Sequence, residues 1–370
     1  MVYRIAIIMK WGLSFGGGGE KWITVITNKL LEDGYEVTFY IPDVYLKEED
    51  NKIPNVTYVF YRSNIISILK KLNLMNFAWP FIKIRLNREY DTIYIPSFYA
   101  IRLIIYYSII NKFRIILDSH DFYLNNKKLA RDFLRIIPEI FLKISNKNVM
   151  IRCVNDKCSE EMLKYGIFNK YIPNFPYSYG KNVSLSTKFR ILFINRINKR
   201  KGGDILIDII NTLKNYNDTE IIIAGYNDCG DKFINSVNNS NNCKYLGYIS
   251  ENDKINLLEE SDVFILLSNR EAAAPLSQLE AMASGLFVIS TWKWSSMGMP
   301  IFFLNNEYLQ IVNRNSTNVI KAIIKLKEMW SNDHNKFMQM KLDLKNRFLN
   351  KNFYNDSIYR TISFLTQKIK

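Results

Sequence analysis

Short runs of β-branched and aromatic residues alternate along the chain with longer stretches whose apolar positions recur every three or four residues. The first pattern is that of buried strands and the second that of amphipathic helices; their regular alternation predicts parallel sheets covered by helices. In the first half, strands are predicted at Tyr3–Met9, Glu36–Ile41, Thr57–Tyr61, Thr92–Ile95, Arg114–Leu117, Asn148–Arg152 and Lys170–Ile172. A breaker-rich stretch opens at Pro173 and stays polar to Lys188, after which strands recur at Phe189–Asn195, Glu220–Ala224, Lys244–Leu246, Asp262–Leu267, Phe287–Ser290 and Ile301–Phe303. The expected architecture is α/β: two doubly wound domains, residues 1–175 and 189–352, facing each other across a cleft, with 176–188 as linker. A final helix at about 353–370 is expected to pack back on the first domain, and the polar tail from Ser316 reads as solvated outer helices.

Composition narrows this picture. The 370 residues suit two domains, and 48% hydrophobic residues with 23 Tyr and 23 Phe exclude a disordered chain. Four cysteines without a C-x-x-C pair read as reduced packing thiols. The opening apolar run Ile5–Met9 is too short for a signal peptide, and no run reaches the roughly 18–20 residues that span a bilayer, so a cytoplasmic protein is expected. The net charge of +15 favours anionic partners. Residues 62–147 hold fifteen Lys and Arg against six Asp and Glu, and Ile65–Leu86 interleaves apolar and basic side chains. That suits peripheral contact with an anionic membrane, although core-facing helices with a basic rim would read the same way. A nucleic-acid partner is not expected, because no recognisable module accompanies the charge.

Four segments carry candidate chemistry, each at a strand-to-helix turn. Gly16-Gly17-Gly18-Gly19-Glu20 follows the first strand and opens a helical pattern, where free amides can hold an anion; it is neither G-x-G-x-x-G nor a P-loop. Asn195 to Asp204 places Arg196 at a strand end and Lys201 near a helix start, so that side chains and helix amides converge as on a diphosphate; an ordinary basic turn would share the pattern. Glu271 to Gly285 carries Glu280 on a helix of small residues, placed to accept two vicinal hydroxyls such as those of a ribose, though an exposed helical glutamate would also fit. Asp118-Ser119-His120-Asp121 places His120 beyond a strand end, as a hydrogen-bonding or acid/base group or as a cap.

Taken in order, these segments resemble the retaining family 4 glycosyltransferases (glycosyltransferase group 1) of the GT-B fold, two Rossmann-like domains, across nearly the whole chain. The family's G-G-x-E is matched by Gly17-Gly18-Gly19-Glu20, its G-Y-E-V-T by Gly34 to Thr38, and its I-P-N by Ile172-Pro173-Asn174. Its R-x-x-x-x-K-G is matched by Arg196, Lys201 and Gly202, its L-G-Y-I-S by Leu246 to Ser250, and its E-A-M-A-S-G by Glu280 to Gly285. The resemblance implies a sugar transferred from a UDP- or GDP-sugar to an acceptor hydroxyl on a lipid-linked, glycan or protein molecule. It implies retention and neither metal nor separate cofactor. Arg196 and Lys201 would grip the diphosphate, Glu280 the ribose, His120 the sugar side, and the loop of Gly17, Gly18 and Gly19 would lie against donor and acceptor.

Three departures stand out. The family separates its two glutamates by seven residues, whereas eight lie between Glu271 and Glu280; a longer loop that lets Glu271 still reach the sugar is the favoured reading. Asn195 stands where the family generally has glycine, and alanines replace its E-G-F-G loop. An epimerase or phosphorylase on the same architecture keeps the fold and changes the reaction. A basic nucleic-acid- or membrane-binding protein without catalysis is the alternative of another class.

Overall fold

The computed structural model describes residues 2–10, 12–13, 18–45, 53–72, 82, 84–86, 89–96, 114–119, 149–164, 166, 168–184, 187–269, 271, 274–292, 307–350 and 353–367. The chain divides into two compact units, residues 1–173 with 357–370 and residues 174–356.

The first unit is built on strands β1 (Arg4–Ile8), β2 (Glu36–Pro42), β3 (Thr57–Tyr61), β4 (Thr92–Ile95), β5 (Arg114–Ser119), β6 (Val149–Cys153) and β7 (Asn169–Tyr171). They pair in parallel in the order β3-β2-β1-β4-β5-β6-β7. Both faces of the central strands are covered, which is why Ile5–Ile8 and Thr92–Ile95 read as continuous apolar runs rather than alternating ones. Helix α1 (Gly18–Glu32) turns Trp22, Ile23, Ile26 and Leu30 inward at helical spacing; α2 (Asn64–Lys71) and α3 (Asp156–Lys164) follow β3 and β6. A buried polar cluster ties three strand ends together. Arg152 on β6 donates to both oxygens of Asp118 on β5 at 3.3 and 3.2 Å, the Tyr94 hydroxyl on β4 donates to the same carboxylate, and the guanidinium lies 4.1 Å from the Trp22 ring centre. Helix α10, the last of the chain (Phe353–Thr366), joins this unit from Ser357 onward: the Leu365 carbonyl accepts from Thr92, and Arg360 donates to the Tyr171 carbonyl.

The second unit holds β8 (Phe189–Ile194), β9 (Thr219–Ala224), β10 (Cys243–Tyr245), β11 (Val263–Leu266), β12 (Phe287–Ser290) and β13 (Leu309–Ile311). All are parallel, in the order β10-β9-β8-β11-β12-β13. Its helices are α4 (Gly203–Leu213), α5 (Asp231–Asn238), α6 (Glu251–Glu260), α7 (Leu276–Ala283), α8 (Ser316–Asn332) and α9 (His334–Asn350). The strand predicted at Ile301–Phe303 lies outside the described residues. The sixth strand of this sheet is Leu309–Ile311, three residues with only Leu309 buried, too short and too polar to stand out in the sequence. The tail is not a solvated layer: α8 buries Val319, Ile323, Leu326 and Trp330, and α9 buries Phe337, Leu344 and Phe348. Its lysines conceal this, because Lys341 and Lys345 are themselves buried.

Lys341 and Asp262 have no exposed side-chain surface. The ammonium donates to Asp262 Oδ1 at 2.9 Å, to the Ser261 carbonyl at 2.7 Å and to the Ser184 carbonyl at 2.8 Å, which uses all three of its protons. Asp262 Oδ2 accepts the Arg190 amide at 2.9 Å. Burial pushes the Asp262 carboxyl up and the Lys341 ammonium down, each against the pull of the other. The same helix holds residues 180–184 through Lys345, which donates to the Gly180 carbonyl at 2.6 Å. Breaking a buried pair strands a charge, so Asp262→Ala or Lys341→Met should each lower unfolding free energy by about 3–5 kcal/mol in urea titration. Combining Asp262→Leu with Lys341→Met should cost less than the two single losses added together.

Candidate functional site

In an open parallel sheet, ligands bind outside the carboxyl ends of the strands where chain order reverses. In the second unit that point lies between β8 and β11, and both turns leaving it are rich in functional groups. After β8 the chain must clear the sheet quickly. The Asn195 amide still donates to Ala224, and Gly225, at φ +134°, passes so close that a Cβ there would meet the Asn195 carbonyl at 1.9 Å. The glycine that permits close approach stands on β9's turn, while Asn195 uses its side-chain carbonyl to accept the Arg196 amide at 3.0 Å.

Arg196 itself is 61% exposed, with Nε 3.7 Å from Asp228, so its guanidinium remains open to an anion. Asn198 then caps a single 3-10 turn, Lys199–Lys201, its side chain accepting the Lys201 amide at 3.0 Å. Gly202 follows at φ +86° with a backbone so tight against Leu267 that a Cβ would lie 2.3 Å from that residue's Cβ. Only glycine satisfies both the left-handed turn and the contact. The first turn of α4 therefore starts beside the end of β11.

That packing sets Lys201 against Glu271. The ammonium and the Glu271 Oε1 are in direct hydrogen-bonded contact, and each side chain is only 12% exposed. Burial, with Arg200 and Arg196 nearby, holds the Lys201 ammonium below the ordinary lysine range in spite of Glu271. Glu280, on α7, is in a different environment. Only 3% exposed, it takes Lys254 on Oε2 at 2.9 Å and the Ser178 hydroxyl on Oε1 at 3.1 Å. Small residues around it bring other segments close: the Ser284 hydroxyl donates to the Glu280 carbonyl and accepts the Gly180 amide.

Of the remaining predicted residues, Gly18 and Gly19 open α1 at the carboxyl end of β1, with open space around Gly19. Gly17 and His120 lie outside the described residues, as does much of 62–147. Asp118, two residues before His120, is the buried partner of Arg152 and serves the fold. Among the described residues, no three of the His, Cys, Asp and Glu side chains come together as metal ligands.

The sequence patterns did not single out Arg314, Lys254 or Ser178. Arg314 leaves β13 and reaches across the carboxyl edge, donating to Lys199 O at 2.8 Å, Leu267 O at 3.3 Å and Asp204 at 3.2 Å. One guanidinium thus laces both turns together. It sits 47 residues beyond Leu267 in the chain, and no local signal announces the contact. Ser178 is similarly distant from its partner; it lies in the polar stretch read as linker, which here belongs to the second unit.

Comparison with known proteins finds a family match over part of the second unit and structural likeness over nearly the whole chain. The description "Glycosyl transferases group 1" matches residues 179–340. Sucrose-phosphate synthase of Thermosynechococcus elongatus superposes with a TM-score of 0.70 at 14% identity, covering 98% of each chain. A glycosyltransferase of Rickettsia africae gives 0.70 at 17% identity over 100% of this chain and 99% of its own. HepE of Anabaena, solved with UDP and glucose, gives 0.65 at 14% identity over 98% and 99%. No curated protein matches by sequence. The Arg196–Gly202 turn, the Lys201–Glu271 contact and the Glu280 helix all fall inside the segment, residues 179–340, that matches the glycosyl transferases group 1 model, on a chain with the GT-B fold.

Proposed function

We propose that the chain transfers a hexosyl group from a UDP- or GDP-sugar to an acceptor hydroxyl, with retention of configuration and with no metal. The observation that carries this reading is the convergence, at the reversal point between β8 and β11, of Lys201, the exposed Arg196 and the amino end of α4. Charge develops on the departing diphosphate in the transition state, and fixed cations with oriented amides stabilise it without reorganising. The exposed Arg196 is assigned to the outer oxygens of the diphosphate and Lys201 to the inner ones. Glu280 is held in a fixed direction by Lys254 and Ser178, and the family resemblance assigns it to the ribose hydroxyls. His120 and the loop of Gly17, Gly18 and Gly19 are assigned to the sugar and acceptor side by the family resemblance. The UDP in the solved Anabaena HepE supports a nucleotide donor.

An anionic membrane is the proposed place of work, on the cytoplasmic face. Helix α2 leaves Ile65, Ile68 and, just beyond it, Leu72 exposed on one side, flanked by exposed Arg62 and Lys71. An apolar stripe with basic flanks suits the headgroup boundary. Among the described residues no helix is long and apolar enough to cross a membrane.

Three measurements test these readings. Across a panel of nucleotide-sugars, one donor should bind saturably. Lys201→Ala and Arg196→Ala should each weaken it by about 10–100-fold, the worth of a hydrogen bond to a charged group. Glu280→Ala should weaken it less if the ribose has other partners; binding indifferent to all three would leave only the fold, and product analysis separates transfer from epimerisation or phosphorolysis. Sedimentation with vesicles of anionic lipid should enrich the protein in the pellet at low salt. Ile68→Glu should abolish the enrichment, whereas an unchanged pellet would sink the membrane contact.

A further inference from the structure

Lys201 is the residue best placed to meet a diphosphate, yet its ammonium already has a carboxylate on it. The two side chains are equally enclosed, and the turns that carry them are tightly coupled. Gly202 packs on Leu267, the Asn269 amide donates to the Arg200 carbonyl at 3.0 Å, and Arg314 joins Lys199 to Leu267. This lacing fixes the backbone from which the Lys201 side chain projects. Glu271 lies beyond these laced residues, on a stretch of sequence one residue longer than the family's spacing. In so enclosed a place an ion pair is screened little by solvent, so its exchange for another anion has a substantial cost.

We propose that Glu271 is the resident counter-ion of Lys201, which every incoming diphosphate must displace, so that it weakens the site's hold on a bare diphosphate. This rests on the reading of Lys201 as a diphosphate ligand and adds to it a competitor within the chain. The exchange breaks one ammonium–carboxylate contact and forms one ammonium–phosphate contact, with no proton transferred. An intact donor offers the released carboxylate sugar hydroxyls as new partners, whereas the nucleoside diphosphate left after transfer offers none. Glu271 consequently favours donor over product, and its return to Lys201 assists product release.

Inorganic pyrophosphate is the probe, because it needs no knowledge of the base or the sugar. Calorimetric titration of the full chain should show Glu271→Gln binding it about tenfold more tightly than the unaltered protein, the size of one lost charge-assisted contact. Glu271→Asp keeps the charge but shortens the reach, and should fall between the two. A pure field effect would leave Glu271→Asp equal to the unaltered protein and would overturn the direct contact. Thermal midpoints measured alongside show whether each variant is folded. If Lys201→Met loses pyrophosphate while Glu271→Gln binds no more tightly than the unaltered protein, the counter-ion role is wrong and the diphosphate site stands. If the unaltered protein binds no pyrophosphate, or Lys201→Met binds it equally well, both fall together.

Discussion

The ammonium of Lys341 is enclosed by three acceptors from two stretches of chain, and much of the second unit hangs from it. It fixes α9 to the turn before β11, to the start of that strand and to residue 184. Its partner Asp262 also receives the Arg190 amide, which aligns β8 with β11 at their amino ends. Parallel strands that are aligned at one end are aligned at the other, so the turns carrying Lys201 and Glu271 meet at the carboxyl edge. An ion pair far from the proposed chemistry thus sets the register on which that chemistry depends. Arg190 reinforces it by bridging Glu220 and Glu260 at the same end.

The same device, a lysine that is itself enclosed set on an enclosed carboxylate, occurs three times among the described residues of this unit: Lys341 with Asp262, Lys254 with Glu280, and Lys201 with Glu271. Their surroundings separate their roles. The first is sealed and saturated with hydrogen bonds, and so belongs to folding. The second holds a carboxylate in a fixed direction at the start of a family motif. The third retains some exposure beside an open arginine, which makes it exchangeable. A strongly basic chain can therefore keep several of its lysines inside, where carboxylates or backbone carbonyls meet their charge.

Much of the fold was legible along the chain because each layer has its own period. The alternation of apolar runs and helical stripes located five strands of the second sheet to within a residue or two, those starting near Phe189, Glu220, Lys244, Asp262 and Phe287, while the sixth predicted, Ile301–Phe303, lies outside the described residues. What misled was composition read without partners. Lysines in α9 suggested solvent, but a lysine whose three protons find acceptors is at home in a core. The edge strand Leu309–Ile311 escaped because three residues with one buried side chain carry no periodicity.

By itself the amino-acid sequence determined the class of fold, the order of its elements, the turns on which Arg196, Lys201 and Glu271 stand and the helix that carries Glu280, since periodicity, glycines and caps act over a few residues. Only the tertiary structure decided which of these groups meet. That Glu271 turns to Lys201, that Lys254 and Ser178 hold Glu280, and that Arg314 laces two turns all depend on segments 26 to 115 residues apart in the chain. Such contacts arise from sheet order and burial, which no local pattern encodes.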